Sequence, residues 1–341
     1  MLRAGFRGAP AFGARRFSMA EGNVSGREAT VFDFGHFRNT DGAGIRTMIF
    51  FKGCPLRCKW CSNPWGLSVA PQLAVNRERC VGCGACVRVC KQQVNSIGED
   101  GRVEMDWERC SACGLCVAIC PASCRKIAGE RYDAQGLYEQ VRRDLTFTRR
   151  GRSGITLSGG EVLMQWEVAA EVLRLCKRDY IDTCIETSAF GPWEHLEALA
   201  AYCDTAFVDL KHMDSARHRE VTGAPNELIL ENIECLCAYM EQRGRRVIVR
   251  HPVIPGYTDD ESNAEAIARF MAQLPGKPDL NILPYHNLGE LKYTMIGEEC
   301  EVTGLDMMKK TDERIGRIVE ACERLAPQVR VTVGGENIHW D

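Results

Sequence analysis

Cys54, Cys58 and Cys61, separated by three and two residues, are followed by two four-cysteine runs, beginning at Cys80 and Cys110. Together these sites take eleven of the chain's 19 cysteines. Three cysteines at this spacing can bind three irons of a cubane cluster and leave the fourth iron open to chelate a substrate. A four-cysteine site is saturated and mainly moves electrons. Cys80, Cys83, Cys86 and Cys90 follow C-x2-C-x2-C-x3-C, as do Cys110, Cys113, Cys116 and Cys120, which is an iron–sulfur spacing. The other reading of the first loop is a three-cysteine zinc site with a distant fourth ligand, or a redox thiol cluster. Zinc sites normally use paired C-x2-C or Cys/His spacing instead.

Further along the chain stand polar groups suited to a small charged ligand. In Thr156-Leu-Ser-Gly-Gly-Glu161, Gly159 and Gly160 permit a close approach and the Glu161 carboxylate suits an ammonium. Strand alternation puts Asp209 and Lys211 on one face; a surface ion pair is the plainer account of them. Glu186-Thr-Ser188 fits a ligand pocket or ordinary strand-end capping. His286, in Leu283-Pro-Tyr-His286, is the better candidate histidine for a polar contact, whereas His251 fits equally a satisfied histidine in a strand. Cys124 lies outside the cluster spacing and reads as a packing thiol, as do the other unspaced cysteines.

These groups need elements to hold them. Arg46–Lys52 reads as a strand running into the cysteine loop at Gly53. Short apolar strands then recur at Gly154–Leu157, Thr183–Glu186, Ala206–Leu210, Val247–His251, Leu280–Pro284 and Val329–Val333, with apolar-periodic stretches such as Trp166–Lys177 and Arg314–Leu325 between them. Alternating strands and helices predict βαβ units on a parallel sheet, with functional groups at the carboxyl ends of strands. Residues 72–127 form a separate module containing a repeat at a 30-residue offset, Arg79–Cys90 against Arg109–Cys120.

The bulk composition narrows the class. A 341-residue chain with 45% hydrophobic residues suffices for one large α/β domain plus a small satellite. A net charge of −3 offers no electrostatic reason for a nucleic-acid partner, and no run of 18 apolar residues predicts a membrane span. Tight C-x2-C pairs in a long chain favour metal over disulfides, and so a reducing, anaerobic cytoplasmic setting. Residues 1–20 hold Arg3, Arg7, Arg15 and Arg16 and no acid. That pattern fits a presequence, an extension ahead of a start at Met19, or a disordered tail; residues 1–25 are read as a disordered extension.

Gly53-Cys-Pro-Leu-Arg-Cys-Lys-Trp-Cys61 resembles the signature of the radical S-adenosylmethionine enzymes. Asp41-Gly-Ala-Gly-Ile-Arg-Thr47 is similar to the Asp-Gly-Pro-Gly-Ile-Arg-Thr motif of activating enzymes for glycyl radical enzymes, with Ala43 in place of proline. Gly-Gly-Glu161 and Asp209-Leu-Lys211 match further motifs of that family, which places Val162 where proline is common. The two four-cysteine runs have bacterial-ferredoxin spacing, placed as in a subset of these activases that serves lyases, decarboxylases, dehydratases and fumarate-adding enzymes.

The resemblance covers about residues 30–335 and implies a partial (β/α)6 TIM-like barrel over residues 26–71 and 128–341. Residues 72–127 would be an inserted ferredoxin-like α+β domain. It implies three 4Fe–4S clusters. Cys54, Cys58 and Cys61 would hold the one that binds S-adenosylmethionine. In bacterial ferredoxins the fourth cysteine crosses to the other cluster, so Cys80, Cys83 and Cys86 pair with Cys120, and Cys110, Cys113 and Cys116 with Cys90. Trp60 would pack near the adenine; Gly159, Gly160 and Glu161 would receive the methionyl amino group; Lys211 would meet its carboxylate. Asp209 suits a ribose or a cation, Glu186 lines the pocket and His286 contacts the nucleoside. The implied function is reductive cleavage of S-adenosylmethionine to a 5′-deoxyadenosyl radical, which takes a hydrogen atom from a backbone glycine of a partner glycyl radical enzyme. A flavodoxin or ferredoxin-like protein would supply electrons, with the two further clusters as a relay or as structural supports. Two alternatives stand beside this: a radical enzyme of the same kind acting on a small molecule or another peptide, and a multi-cluster electron-transfer protein.

Overall fold

The computed structural model describes residues 27–146 and 153–335. The extension read over residues 1–25, and the chain end at 336–341, lie outside the described residues. The chain opens with β1 (Glu28–Arg38) and β2 (Ile45–Phe51), an antiparallel pair. Next come β3 (Gln72–Val75), α1 (Ala85–Val89), β4 (Asn95–Ile97), β5 (Val103–Met105), α2 (Leu115–Ala118) and β6 (Arg125–Ala128). After β7 (Glu130–Asp133) and α3 (Ala134–Leu145), strand and helix alternate: β8 (Ser153–Gly159), α4 (Trp166–Arg178), β9 (Asp182–Thr187), α5 (Trp193–Ala200) and β10 (Thr205–Asp209). The rest comprises α6 (Ser215–Thr222), α7 (Glu227–Glu241), β11 (Arg246–Val253), α8 (Glu261–Gln273), β12 (Asp279–Pro284), α9 (Glu290–Thr294), α10 (Glu313–Leu325) and β13 (Val331–Val333).

One nine-stranded sheet carries the fold, in the order β13-β12-β11-β10-β9-β8-β2-β1-β7. From β13 to β2 every neighbour is parallel. The strands expected from apolar runs are therefore present, with shifted ends. The antiparallel edge of β1 and β7 is an addition that the sequence reading did not contain.

Alternation assigns the two faces of this sheet. Ile155, Leu157, Ile185, Val208 and Val249 point to the helix side, where Leu173, Leu199, Leu236 and Ile267 close the main core. Their neighbours Thr156, Ser158, Cys184, Glu186, Phe207, Asp209, Ile248 and Arg250 take the other parity. Their polar members gather toward the carboxyl ends of β8 to β11. Helices α3, α6, α8 and α10 each start on an aspartate (Asp133, Asp214, Asp260, Asp312) whose carboxylate accepts from the first turn. Such caps are worth about 1 kcal/mol each.

Residues 72–128, here the lobe, carry two two-stranded sheets apart from the large one. β3 and β6 pair antiparallel, with Gln72 opposite Ala128, while β4 and β5 make a hairpin. Leu73, Val75 and Val103 pack with Cys86 and Cys116 in its small core. The seam with the main sheet is polar and specific. The fully buried Lys52 donates from Nζ to Trp65 O (2.5 Å) and Gln72 Oε1 (3.1 Å). Lys126 Nζ sits 4.2 Å from the Trp65 ring centroid, and Val75 N donates to Met295 O (2.7 Å).

Arg46 locks β2 to β8 from inside. Its Nε donates to Thr156 Oγ1 (2.7 Å), Nη1 to Ala43 O (2.9 Å) and Asp182 Oδ1 (2.7 Å), and Nη2 to Ile155 O (2.5 Å) and Asp182 O (3.2 Å). All five donor hydrogens of the guanidinium are thereby used. Arg46→Met takes a donor from the Ala43 and Ile155 carbonyls and the cation from the partly exposed Asp182, and should cost about 1–3 kcal/mol. The urea midpoint at constant slope checks this; a loss below about 1 kcal/mol would show that the network does not hold β2 in place.

Candidate functional site

The three-cysteine loop leaves β2 at Gly53, whose φ of +94° suits glycine. Backbone bonds stitch it on every side. Gly160 N donates to Phe51 O (2.8 Å), Glu161 N to Gly53 O (2.7 Å), and Gly53 N to Gly66 O (2.8 Å). The end of α6 holds the loop's middle, through Arg57 N to Thr222 O (2.7 Å) and Lys59 N to Val221 O (3.1 Å). Lys292 Nζ donates to Ser62 O (2.9 Å) and Asn63 Oδ1 (2.8 Å) just beyond Cys61.

The glycines of the Gly-Gly-Glu turn are required by this contact. A Cβ on Gly159 would stand 2.2 Å from Phe51 O, and one on Gly160 would stand 2.3 Å from Gly66 O and 2.4 Å from Gly53 O. All are backbone atoms, so no rotamer change relieves the clash.

Glu161 is buried, and its acceptor positions are filled by the protein. Oε1 accepts from Leu163 N (3.1 Å) and Thr187 Oγ1 (2.6 Å), and Oε2 from Ser188 N (2.7 Å) and Ser188 Oγ (2.5 Å). A carboxylate offers about four such positions. In this structure, therefore, the group read as a partner for an ammonium instead ties the turn to the end of β9.

Across the strand ends lies a buried charge network. Lys211 Nζ donates to Asp209 Oδ2 (2.7 Å). Burial opposes its ammonium, but the Asp209 carboxylate offsets that and holds its pKa above the usual value. Arg250 bridges Glu186 Oε1 (2.5 Å) and Asp41 Oδ1 (3.1 Å) and stacks on Phe207, 3.8 Å from its ring centroid. Ser158 Oγ donates to the other oxygen of Glu186 (2.5 Å). From the sequence, Asp41 opens a motif of the resembled family and Arg250–Pro255 matches a stretch of it that reaches the ligand, but neither residue is singled out for the site. The parity of Arg250 with Asp209 and Glu186 on neighbouring strands was the available signal.

Trp60 packs 6.0 Å from Tyr257, ring to ring, beside the buried cluster of Ile254, Tyr285 and Val302. His286 is exposed two residues beyond β12, near Lys292. Glu161, Asp209 and Lys211 are thus gathered at the cysteine loop, while Trp60 and His286 stand at its rim.

The donor set fits a cluster that brings its own positive charge. Burial pushes the thiols of Cys54 and Cys58 up to about 12 and that of Cys61 up to about 11. Metal ligands must be thiolates, so the incoming group has to supply the charge that displaces those protons. In the lobe, the other eight cysteines surround two cavities. Cys90, Cys110, Cys113 and Cys116 line one; Cys80, Cys83, Cys86 and Cys120 line the other. Each run thus sends its last cysteine to the other run's cavity. Among the described residues, no three His, Cys, Asp or Glu side chains are arranged to hold a single metal ion, and no helix is long and apolar enough to cross a membrane.

A family model described as the radical SAM superfamily matches residues 48–265. The chain is 38% identical over 304 residues to the choline trimethylamine-lyase activating enzyme of Oleidesulfovibrio alaskensis, covering 87% of this chain and 96% of that protein. It is 39% identical over 279 residues to the 4-hydroxyphenylacetate decarboxylase activating enzyme of Clostridioides difficile, covering 80% and 87%. The (2S)-3-sulfopropanediol dehydratase activating enzyme of Klebsiella oxytoca is 36% identical over 290 residues, covering 83% and 90%. The chain belongs to the radical SAM superfamily and, within it, to the activating enzymes of glycyl radical enzymes. S-adenosylmethionine and an iron–sulfur cluster follow from that membership.

His251 lies beside this site but reads as structural. It is fully buried in β11, with Nδ1 2.8 Å from Leu210 O. Burial holds its pKa down to about 4, below the ordinary 6.5. The folded state then binds fewer protons than the unfolded one between these values, so this contribution is complete above pH 6.5 and is lost as pH falls toward 4. Between pH 7.5 and 5 the metal-free chain should lose about 2 kcal/mol that His251→Gln retains, read from urea midpoints. Equal losses in both chains would place the titration elsewhere.

Proposed function

We propose that this chain activates a glycyl radical enzyme of the lyase, decarboxylase or dehydratase kind, using three 4Fe–4S clusters. Cys54, Cys58 and Cys61 hold the cluster with the open iron. The observation that carries this reading is the stitching of their loop to the Gly159–Gly160 turn, beside the buried Lys211–Asp209 pair. When bound, cluster and S-adenosylmethionine supply reductive cleavage to a 5′-deoxyadenosyl radical, which takes a hydrogen atom from a backbone glycine of the partner.

The chain's own residues bind and orient. The bare backbone of Gly159 and Gly160 meets the methionyl amino group, and Glu161 fixes that turn rather than touching the ligand. Lys211 pairs with the methionyl carboxylate, drawing on an ammonium that Asp209 keeps charged. Glu186, held by Arg250 and Ser158, faces the nucleoside, and Trp60 and His286 flank it at the rim. The main unit, residues 26–71 and 128–341, is a partial (β/α)6 barrel, and residues 72–127 form a ferredoxin-like insert. The two crossed cysteine quartets support an insert that carries the other two clusters. A flavodoxin or ferredoxin-like protein supplies the electrons, and the lobe relays them.

Cys58→Ala should abolish 5′-deoxyadenosine formation, whereas Cys113→Ala should keep part of it with a strong artificial reductant. Equal loss in both would favour a structural role for the lobe's clusters. Anaerobic mixing of the reduced, reconstituted protein and S-adenosylmethionine with host extract should give a persistent carbon-radical doublet in electron spin resonance. Deoxyadenosine without that doublet, in extract containing the partner, would favour a small-molecule substrate.

A further inference from the structure

The repeat aligns the walls of the two cysteine cavities position by position, and at two positions those walls differ in chemistry. Four residues past Cys90 stands Val94, and four past Cys120 stands Cys124, each lining the cavity its preceding cysteine faces. The next pair is Asn95 against Arg125, again one on each cavity. One site therefore has an alkyl group and a neutral amide where the other has a thiol and a guanidinium.

Both unusual groups are buried, at 4% exposure each. Cys124 Sγ lies 3.4 Å from Cys120 Sγ, within reach of an S–H···S hydrogen bond. Arg125 Nη1 reaches only the Met105 thioether (3.7 Å), a weak acceptor, and Nη2 has no hydrogen-bond partner. Among the described residues no carboxylate pairs with it. A buried, unpaired guanidinium is costly unless negative charge stands nearby. A four-thiolate cluster in the Cys80, Cys83, Cys86 and Cys120 cavity would supply that charge, and would gain one more negative charge on reduction. Hydrogen bonds to the sulfurs and local charge are the levers that set such potentials. On the other side, Lys91 follows Cys90 but is exposed, where water screens it.

We propose that Arg125 and Cys124 make the two lobe clusters electronically unequal, holding the cluster of Cys80, Cys83, Cys86 and Cys120 at the higher reduction potential. This rests on the reading that the lobe carries two clusters. An electron entering the lobe then settles on the Arg125 side.

The test uses the full chain with Cys54, Cys58 and Cys61 all replaced by alanine, so that only the lobe can hold iron. Iron analysis comes first, followed by a potentiometric titration monitored by electron spin resonance. The expected result is iron for two clusters and two separate midpoints. Arg125→Met should lower only the upper midpoint, by at least a tenfold change in the oxidised-to-reduced ratio, about 59 mV for one electron. Cys124→Ala should lower the same midpoint by less, and Arg125→Lys should keep most of it. Should Arg125→Met fail to hold iron, Asn95→Arg gives the converse readout, a rise in the lower midpoint alone. Iron for two clusters with one shared midpoint, or an Arg125→Met effect equal on both, overturns the proposal while sparing the cluster reading. A chain that takes up no iron overturns both.

Discussion

The site depends on three stretches of bare backbone meeting where β2 and β8 end. Phe51 and Gly53, Gly66, and the Gly159–Gly160 turn approach so closely that a single added methyl group would overlap main-chain atoms. Main chain cannot rotate out of the way, so the position of Gly53 fixes the start of the cysteine loop. The reach of the loop is then set at its far side by α6 and Lys292. A cluster held by flexible cysteines would take its place from the metal; here the protein sets the place first.

Charge is arranged on the same plan. Strand parity puts Ser158, Glu186, Asp209 and Arg250 on the face away from the main core, and each is paired before any ligand arrives. Pairing removes most of the cost of burying these groups. It also leaves Lys211 as a buried cation beside the cysteine loop.

Much of this was legible in the sequence, because it is written locally. Cysteine spacing is a count along the chain, and apolar runs announced β8 to β13 with boundaries off by one or two residues. What stayed hidden joins residues far apart. Arg46 meets Asp182 across 136 positions, and Arg250 meets Asp41 across 209. Nothing local marks Arg46 as buried, since a strand with an arginine reads as an exposed one. The antiparallel seat of β1 and β7 was missed for a similar reason: β7 is only four residues long and largely exposed. Glu161 was found but its partners were not, because its carboxylate bonds to Thr187 and Ser188, 26 and 27 residues further on. Cys124 fell outside the expected spacing, and only its distance to Cys120 reveals a neighbour.

The pairing of Gln72 with Ala128 places the lobe's two ends opposite each other on adjacent strands, about 5 Å apart. A lineage could therefore acquire or discard the whole lobe as one segment without rethreading the sheet. The main unit would be left with a gap that a short turn can close. What would not survive such an exchange unaltered is Lys52, whose buried ammonium has Gln72 and the Trp65 carbonyl as its partners. Without the lobe that lysine would keep the Trp65 carbonyl alone, so the position carries a trace of the segment's presence.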